Sequence, residues 1–141
     1  MRRVLLDTGP LVAILDSGDY LHQACLEAAN SLPSPLLSCW PVITEALWLL
    51  RNDSVAKQKL LRSIGTNFLY LLPLEGREAG GIAEVMARYE DISPQFADAS
   101  LVYLAHREDI ETIFTLDDRD FSIYRTARKR PFEIVPPRQN P

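Results

Sequence analysis

The regular alternation of short apolar runs with longer helical patterns is the feature of this sequence that most constrains its fold. The runs typical of β-strands are Val4–Leu6, Leu36–Ser38, Asn67–Leu72, Thr112–Leu116 and Phe132–Val135. Strands that are separated by helices form a parallel sheet with helices on both of its faces. The sequence therefore predicts an α/β fold, in which ligands usually bind at the carboxyl ends of the strands.

Helical patterns fill the gaps between these runs. They are Pro10–Leu15, Tyr20–Ser31, Pro41–Leu50, Val55–Ile64, Glu75–Tyr89 and Phe121–Arg125, together with a helix from Pro94 to about Arg107. Ser93 is the predicted N-cap of this last helix and Pro94 its first residue, because serine caps helices well and proline suits the first turn. At least one helix thus joins each strand to the next, as a parallel sheet requires.

Composition excludes several classes of protein. With 141 residues, 47% of them hydrophobic, we expect a single domain over residues 1–136 and a proline-containing tail at 137–141. No apolar run approaches the roughly 20 residues of a membrane helix. The apolar stretch after Arg2 and Arg3 is too short for a signal peptide, so we expect a cytoplasmic protein without membrane contact. The net charge of −4 argues against general polyanion binding, and nucleic acid would require a local basic patch or a metal ion.

Cysteine and histidine do not form a metal-binding pattern in this sequence. Cys25 and Cys39 lack the spacing of a zinc or redox motif, and we expect both to be reduced. His22 and His106 are isolated, and we expect structural or exposed positions for them. An ion bound by this chain would therefore have oxygen ligands.

Acidic residues follow two of the predicted strands. Asp7 comes directly after Val4–Leu6, and the carboxylates that follow the fourth apolar run are Asp117, Asp118 and Asp120. Each of these two acidic segments, taken alone, is explained by a polar turn after a strand. The carboxyl ends of parallel strands meet at one edge of the sheet, however, so these acids are candidates for a shared site.

Two further acids occupy apolar faces of predicted helices. Glu45 is the only charged residue of Pro41–Leu50, a helix that is apolar nearly all round and is therefore predicted to be buried. Asp98 lies on a stripe with apolar residues at the positions three, four and seven later. A buried carboxylate without a partner is costly, so each of these acids needs a partner or lines a cleft.

A divalent cation is the simplest compensation if these carboxylates converge, because they would otherwise repel one another and take up protons. Ligation by oxygen alone indicates Mg²⁺ or Mn²⁺ rather than zinc. The hydroxyls of Thr8 and Thr115 are placed to hydrogen-bond the carboxylates. Such an ion suits phosphate chemistry with a metal-activated water, and the sequence contains no recognisable Ser or Cys triad as an alternative nucleophile.

Three segments of the chain resemble the PIN-domain ribonucleases, and within them the VapC-type toxins of bacterial toxin–antitoxin pairs. They are "LLDTGPLVAILDSGD", "VITEALWLL" and "ADASLVYLAHREDIETIFTLDDRDF". The resemblance extends from about residue 3 to residue 135, and it depends on the order of the acids rather than on one motif. It implies a three-layer α/β/α sandwich with a central, mostly parallel sheet of about five strands.

The resemblance also implies a function and a set of site residues. The implied activity is Mg²⁺- or Mn²⁺-dependent endonucleolytic cleavage of RNA. By position, the metal-binding and catalytic acids are Asp7, Glu45, Asp98 and Asp117. Asp120 is a candidate for the outer coordination sphere, and Asp118 is expected to be exposed.

Partners follow from the same resemblance. VapC-type toxins are usually homodimers, and a small VapB-like antitoxin threads a C-terminal segment into their acidic groove. The expected partners of this chain are an RNA substrate, an antitoxin and a second copy of itself, while DNA would be contacted only through the antitoxin.

Several alternatives stay open at the level of sequence. One is a PIN-fold interaction or RNA-binding module without nuclease activity, and another is a housekeeping RNA-processing nuclease. A phosphatase with an aspartyl nucleophile would need a second Asp where Gly9 stands. Trp40 and Trp48 either stack on bases or form core or dimer contacts. The basic turn of Arg125, Arg128, Lys129 and Arg130 either binds phosphates or is merely solvated.

Overall fold

A five-stranded parallel sheet forms the centre of the computed structural model, which describes residues 2–137. The strands are β1 (Val4–Leu6), β2 (Leu36–Ser38), β3 (Leu69–Leu71), β4 (Thr112–Phe114) and β5 (Glu133–Val135). They are ordered β3-β2-β1-β4-β5, and all four pairings are parallel. The predicted α/β/α architecture is confirmed, and β1 lies at the middle of the sheet between β2 and β4.

The three central strands are buried along their whole length. Every residue of β1, β2 and β4 is buried, whereas the edge strands β3 and β5 are partly exposed. This is the expected result for a parallel sheet that helices cover on both faces. The predicted run through Leu116 ends at Phe114, because Thr115 still donates its N–H to Val135 (3.1 Å) but Leu116 then turns outward and is exposed.

Seven α-helices connect the strands within the described part of the chain. They are α1 (Thr8–Leu15), α2 (His22–Asn30), α3 (Trp40–Leu49), α4 (Ser54–Ser63), α5 (Ala79–Arg88), α6 (Phe96–Glu108) and α7 (Asp118–Phe121). Two short 3₁₀ turns, Gly76–Glu78 and Glu90–Ile92, precede α5 and α6. Six of the seven predicted helices are present, although the pattern Glu75–Tyr89 is divided into a 3₁₀ turn and α5. The predicted helix Phe121–Arg125 is wrong, since the helix in this region is the earlier α7.

The predicted start of α6 is wrong. An N-cap residue needs an extended backbone, but Ser93 has a left-handed conformation with φ of 48° and ends the preceding 3₁₀ turn. Gln95 is the N-cap instead, with φ of −75° and ψ of 164°. Since α6 begins at Phe96, Asp98 lies in its first turn.

The predicted burial of α3 is also wrong on one side of the helix. Val42, Ile43 and Ala46 are buried, but Trp40 and Trp48 are 56% and 64% exposed. Both tryptophans lie outside the core, so a core position is removed from the alternatives. Base stacking and dimer contacts remain.

Minor expectations about cysteine and histidine agree with the structure. Cys25 and Cys39 are free and buried. The imidazoles of His22 and His106 lie within hydrogen-bonding distance of the backbone oxygens of Ala13 and Arg125.

Within residues 2–137, none of the helices has the length and apolar character needed to cross a membrane. Residues 138–141 of the predicted tail lie outside the described residues.

Candidate active site

One cleft of about 550 Å³ contains all four acids that the sequence predicts for the site. Asp7, Glu45, Asp98 and Asp117 line it, and Asp120 is a fifth carboxylate in the same wall. The other residues of the lining are Thr8, Gly9, Leu49, Ser93, Gln95 and Leu116. Among these lining residues there is no Lys, Arg or His, so the cleft carries negative charge that no neighbouring side chain within it neutralises.

The fold explains why residues so distant in sequence meet here. Strands β1 and β4 are parallel neighbours at the centre of the sheet, and their carboxyl ends carry Asp7 and the segment that contains Asp117. The direction of the chain across the sheet reverses at this pair, which is where crevices form in open α/β sheets. Helix α3 contributes Glu45, and α6, which packs against α3, contributes Asp98 from its first turn.

Asp7 is held rigidly at the end of β1. It is only 6% exposed, and it is the N-cap of α1. Its Oδ1 accepts a hydrogen bond from the Thr8 backbone N–H (2.8 Å), and its Oδ2 accepts one from the Thr115 hydroxyl (2.7 Å). These bonds fix the orientation of the carboxylate and satisfy part of its hydrogen-bonding capacity in a buried position.

The Thr115 hydroxyl connects the two strand ends. Besides donating to Asp7, it accepts a hydrogen bond from the Asp117 N–H (2.9 Å). Asp117 in turn caps α7, because its Oδ1 accepts from the Asp120 N–H (3.1 Å). A single chain of hydrogen bonds therefore sets the relative positions of Asp7, Asp117 and Asp120.

Thr8 does not have the hydrogen bond that the sequence predicts for its side chain. Its Oγ1 is buried beside the cleft, and within the described residues it has no hydrogen-bond partner. A buried hydroxyl left in this state costs about 1–3 kcal/mol. Since this oxygen is buried, a group bound in the cleft reaches it only after a small movement of the Thr8 side chain.

Asp98, Asp117 and Asp120 form the tightest group of carboxylates. One oxygen from each lies within 4.8 Å of the other two. Opposite ligands of an octahedral Mg²⁺ are about 4 Å apart, so the spacing of this group is of the size that a single ion needs. The oxygen-only chemistry of the lining and the unpartnered Thr8 hydroxyl both fit a hard divalent ion. The adjacent Asp118 is half-buried rather than exposed, and it does not contribute to the lining.

Burial and mutual repulsion shift the acids toward their neutral forms. Burial raises the pKa of Asp7 to about 6, and the charges of Glu45 and Asp117 act in the same direction against the two hydrogen bonds described above. Burial also raises the pKa of Asp98 to about 7, with the charge of Asp7 as the next largest cause. The pKa of Asp120 is raised by burial and by Asp117. Without a cation, the cleft thus holds protons near neutral pH.

The sequence does not reveal that Asp120 belongs to the closest group. Its spacing of three residues from Asp117 is the available signal, since residues three apart share a face once the short helix α7 forms. Ser93 and Gln95 are also part of the lining, and nothing in their residue types indicates this position. Both lie before α6, which begins two residues later than the sequence predicts.

The parallel α/β/α sandwich carries a cleft of carboxylates at the ends of its central strands. The class of protein is therefore an α/β protein whose candidate active site consists of acidic side chains. The chain belongs to the PIN-domain family, since the model of that family, described as PIN domain, matches residues 4–129. The family resemblance noted in the sequence is therefore confirmed.

Two relatives from Mycobacterium tuberculosis extend this comparison. The chain is 30% identical to Ribonuclease VapC26 over 135 residues, which cover 94% of this chain and 100% of that protein. The crystal structure of VapC20, described as a sarcin-ricin loop cleaving toxin, superposes with a TM-score of 0.74 over 82% of this chain and 91% of VapC20. At 16% identity, the second likeness concerns the fold alone.

The raised pKa values predict how the metal-free protein responds to pH. Asp7 and Asp98 bind protons more tightly in the folded chain than at their ordinary pKa of 3.8, so the free energy of unfolding falls as pH rises from about 4 to about 7. Asp98→Asn removes one of these groups. We expect thermal denaturation in EDTA to show a smaller loss of stability over this range in the variant. An unchanged pH dependence would contradict the assigned electrostatics.

Asp120 and Asp118 offer a matched pair of charge removals on α7. Asp120→Asn should weaken Mn²⁺ binding by about tenfold or more, since it alters the closest carboxylate group. Asp118→Asn removes the same charge next to Asp117 but outside the cleft lining, so it removes a nearby charge and no lining carboxylate, and its effect on the affinity should be clearly smaller. Isothermal titration of both variants with Mn²⁺ is the measurement, and equal losses would show that only net charge matters.

Proposed function

We propose that this protein is a divalent-metal-dependent endoribonuclease that hydrolyses RNA phosphodiesters, and that it is the toxin of a VapBC-type pair. The observation that carries the proposal is the convergence of five carboxylates in one cleft whose lining has no cationic side chain. The end-to-end relationship with Ribonuclease VapC26 supports the choice of RNA as substrate. The cleft is open to solvent-borne ligands at the edge of the sheet where α/β enzymes place their active sites.

The proposed cofactor is Mg²⁺ or Mn²⁺. Asp7, Glu45, Asp98 and Asp117 are the proposed ligands, and the distances within the cluster make Asp120 an additional candidate. When bound, such an ion lowers the pKa of a coordinated water and offsets the charge of the phosphoryl oxygens. The same ion would offset the repulsion that raises the pKa of Asp98.

In the proposed mechanism, the residues of this chain bind the ion and keep the carboxylates in a fixed orientation. Thr115 keeps Asp7 and Asp117 in a fixed relation, and Asp7 receives a second hydrogen bond from the backbone of α1. The unpartnered Thr8 hydroxyl is a candidate donor to a phosphate oxygen or a water inside the cleft. Within the described lining, neither a cysteine nor a serine with an adjacent base is present, so no covalent intermediate is proposed.

Electrostatics make substrate binding conditional on the cation. All the charged side chains that a phosphodiester meets in the cleft are carboxylates, and they repel it. The exposed turn that contains Arg128, Lys129 and Arg130 follows α7 and is a candidate contact for more distant phosphates. We therefore expect RNA to bind weakly in EDTA and more tightly once the ion is present.

Cleavage by carboxylate variants tests the proposed activity. Asp98→Asn retains the shape of the side chain but removes its charge, so cleavage of a mixed RNA pool should fall by at least about 100-fold. EDTA should abolish cleavage by the unaltered protein, and excess Mn²⁺ should restore it. Glu84→Gln, a charge removal at an exposed position of α5 outside the cleft lining, is the control and should cleave normally.

Two results would favour the alternatives. Full activity of Asp98→Asn, or activity in EDTA, would contradict a metal-dependent mechanism. RNA binding without any cleavage in Mg²⁺ or Mn²⁺ would instead favour an interaction module that keeps the fold.

A VapB-like antitoxin is the proposed protein partner. The negative charge of the cleft favours a partner segment that brings a basic side chain to the carboxylates and so competes with the cation. Any contact with DNA is proposed to belong to the antitoxin. An RNA substrate also makes the cytoplasm the proposed location, and we propose that residues 1–136 act there as one domain.

We further propose that the protein is a homodimer that associates through an aromatic face beside the cleft. We define this face as Trp40, Trp48 and Phe96, which are 56%, 64% and 54% exposed. A contiguous exposed apolar patch of this kind typically marks an association surface. The face adjoins the cleft, because Glu45 and Gln95 border both. A second copy bound here would place the two clefts near each other.

Light scattering coupled to size exclusion tests this interface. Trp48→Ala should convert the dimer into a monomer at micromolar concentration, because large aromatic side chains dominate the energy of interfaces. Tyr20→Ala is the matched control, since Tyr20 is 91% exposed and lies outside the aromatic face. A dimeric Trp48→Ala variant with weakened RNA binding would show that the face stacks on bases instead.

A further inference from the structure

Tyr124 is a fully buried aromatic residue whose hydroxyl has no role in the account given so far. It is 0% exposed and follows α7, the helix that carries Asp120. Its ring is held between those of Tyr89 and Phe121, each with a centroid distance of 5.0 Å, at interplanar angles of 85° and 77°. These edge-to-face contacts fix the ring and therefore the position of its hydroxyl.

The hydroxyl of Tyr124 has no hydrogen-bond partner within residues 2–137. A buried donor in this state destabilises the folded protein, and a phenylalanine would fill the same space without that cost. The neighbouring Tyr89 differs in this respect, because its hydroxyl accepts a hydrogen bond from the Arg125 N–H (3.1 Å). Packing therefore explains the ring of Tyr124 but does not explain its oxygen.

The contacts and charges around Tyr124 show which groups are its neighbours. The backbone N–H of Tyr124 donates to the carbonyl of Asp120 (3.2 Å), which places the residue one turn beyond the carboxylate group. Burial raises the pKa of the phenol above its usual range, and the charge of Asp98 is the next cause, followed by the other acids of the cleft. The backbone contact with Asp120 makes Tyr124 a neighbour of the group formed by Asp98, Asp117 and Asp120, and Asp98 is the acid whose charge acts most strongly on the phenol.

We propose that Tyr124 is a positioning residue that donates its hydroxyl hydrogen to the Asp98 carboxylate when a divalent cation draws the acidic group together. The proposal rests on the proposed metal-dependent function. One oxygen from each of the three acids lies within 4.8 Å of the other two, so a single ion bound among them would hold all three side chains in its coordination sphere. A hydrogen bond from Tyr124 to one oxygen of the Asp98 carboxylate would leave the other oxygen oriented for the ion.

Tyr124→Phe is the direct test. It leaves the ring and its packing in place and removes only the donor, so the metal-free protein should denature at the same temperature as the unaltered one or at a higher temperature. Isothermal titration should show Mn²⁺ affinity lowered by about tenfold, the loss typical of removing a partner of a metal ligand. In RNA cleavage at saturating Mn²⁺, kcat should fall while KM remains the same, since the hydroxyl does not contact RNA.

Tyr89→Phe is the matched control, because it removes a hydroxyl from the adjacent ring. Its loss leaves the Arg125 N–H without an acceptor and should lower the denaturation temperature. It should leave Mn²⁺ affinity unchanged. The two variants are thus expected to have opposite effects on stability and on metal binding.

Mn²⁺ affinity of Tyr124→Phe within about twofold of the unaltered protein would overturn the proposal, whatever the stability of the variant, because a true ligand partner should cost more. Since this affinity is measured without RNA, its outcome is separate from that of the proposed ribonuclease activity. A protein that binds Mn²⁺ normally but cleaves no RNA would contradict the function and leave the assignment of Tyr124 intact.

Discussion

The mutual repulsion of five carboxylates in one cleft is the constraint on which the rest of the structure depends. Parallel pairing of β1 with β4 brings Asp7 and Asp117 to one edge of the sheet, and the packing of α3 against α6 adds Glu45 and Asp98. Burial raises the pKa of Asp7 and Asp98 into the neutral range. A site of this kind binds protons or a cation. The surrounding hydrogen bonds fix the orientation of its carboxylates.

Most of the fold could be predicted from the sequence, because fully buried parallel strands are continuous apolar runs between helical patterns. The predictions that failed are those that depend on the conformation of the backbone or on which side of a helix is exposed. Ser93 has the residue type of an N-cap, but its left-handed backbone excludes that role. Helix α3 is apolar nearly all round, yet Trp40 and Trp48 are exposed, since hydrophobicity does not distinguish a core face from an association face.

The acids of the candidate site could also be predicted, because their positions at strand ends and on apolar helix faces contradict ordinary burial. A hydrogen bond from Thr115 to a carboxylate was predictable as well, since Thr115 lies two residues before Asp117 at the end of a predicted strand, but its bridging of Asp7 and Asp117 was not. The closeness of Asp120 depends on the exact turn of α7, which the sequence placed too late. The unpartnered hydroxyl of Tyr124 could not be found from sequence, since only three-dimensional packing shows that a buried donor has no acceptor.

Anomalous scattering from crystals grown with Mn²⁺ tests the central claim most directly. The account predicts an anomalous peak inside the cleft, within about 2.0–2.3 Å of carboxylate oxygens that include those of Asp98 and Asp117. It also predicts that Asp98→Asn crystals grown in the same way lack the peak or show it at much lower occupancy. A peak elsewhere on the protein, with the carboxylates still apart and the cleft filled only by water, would contradict it.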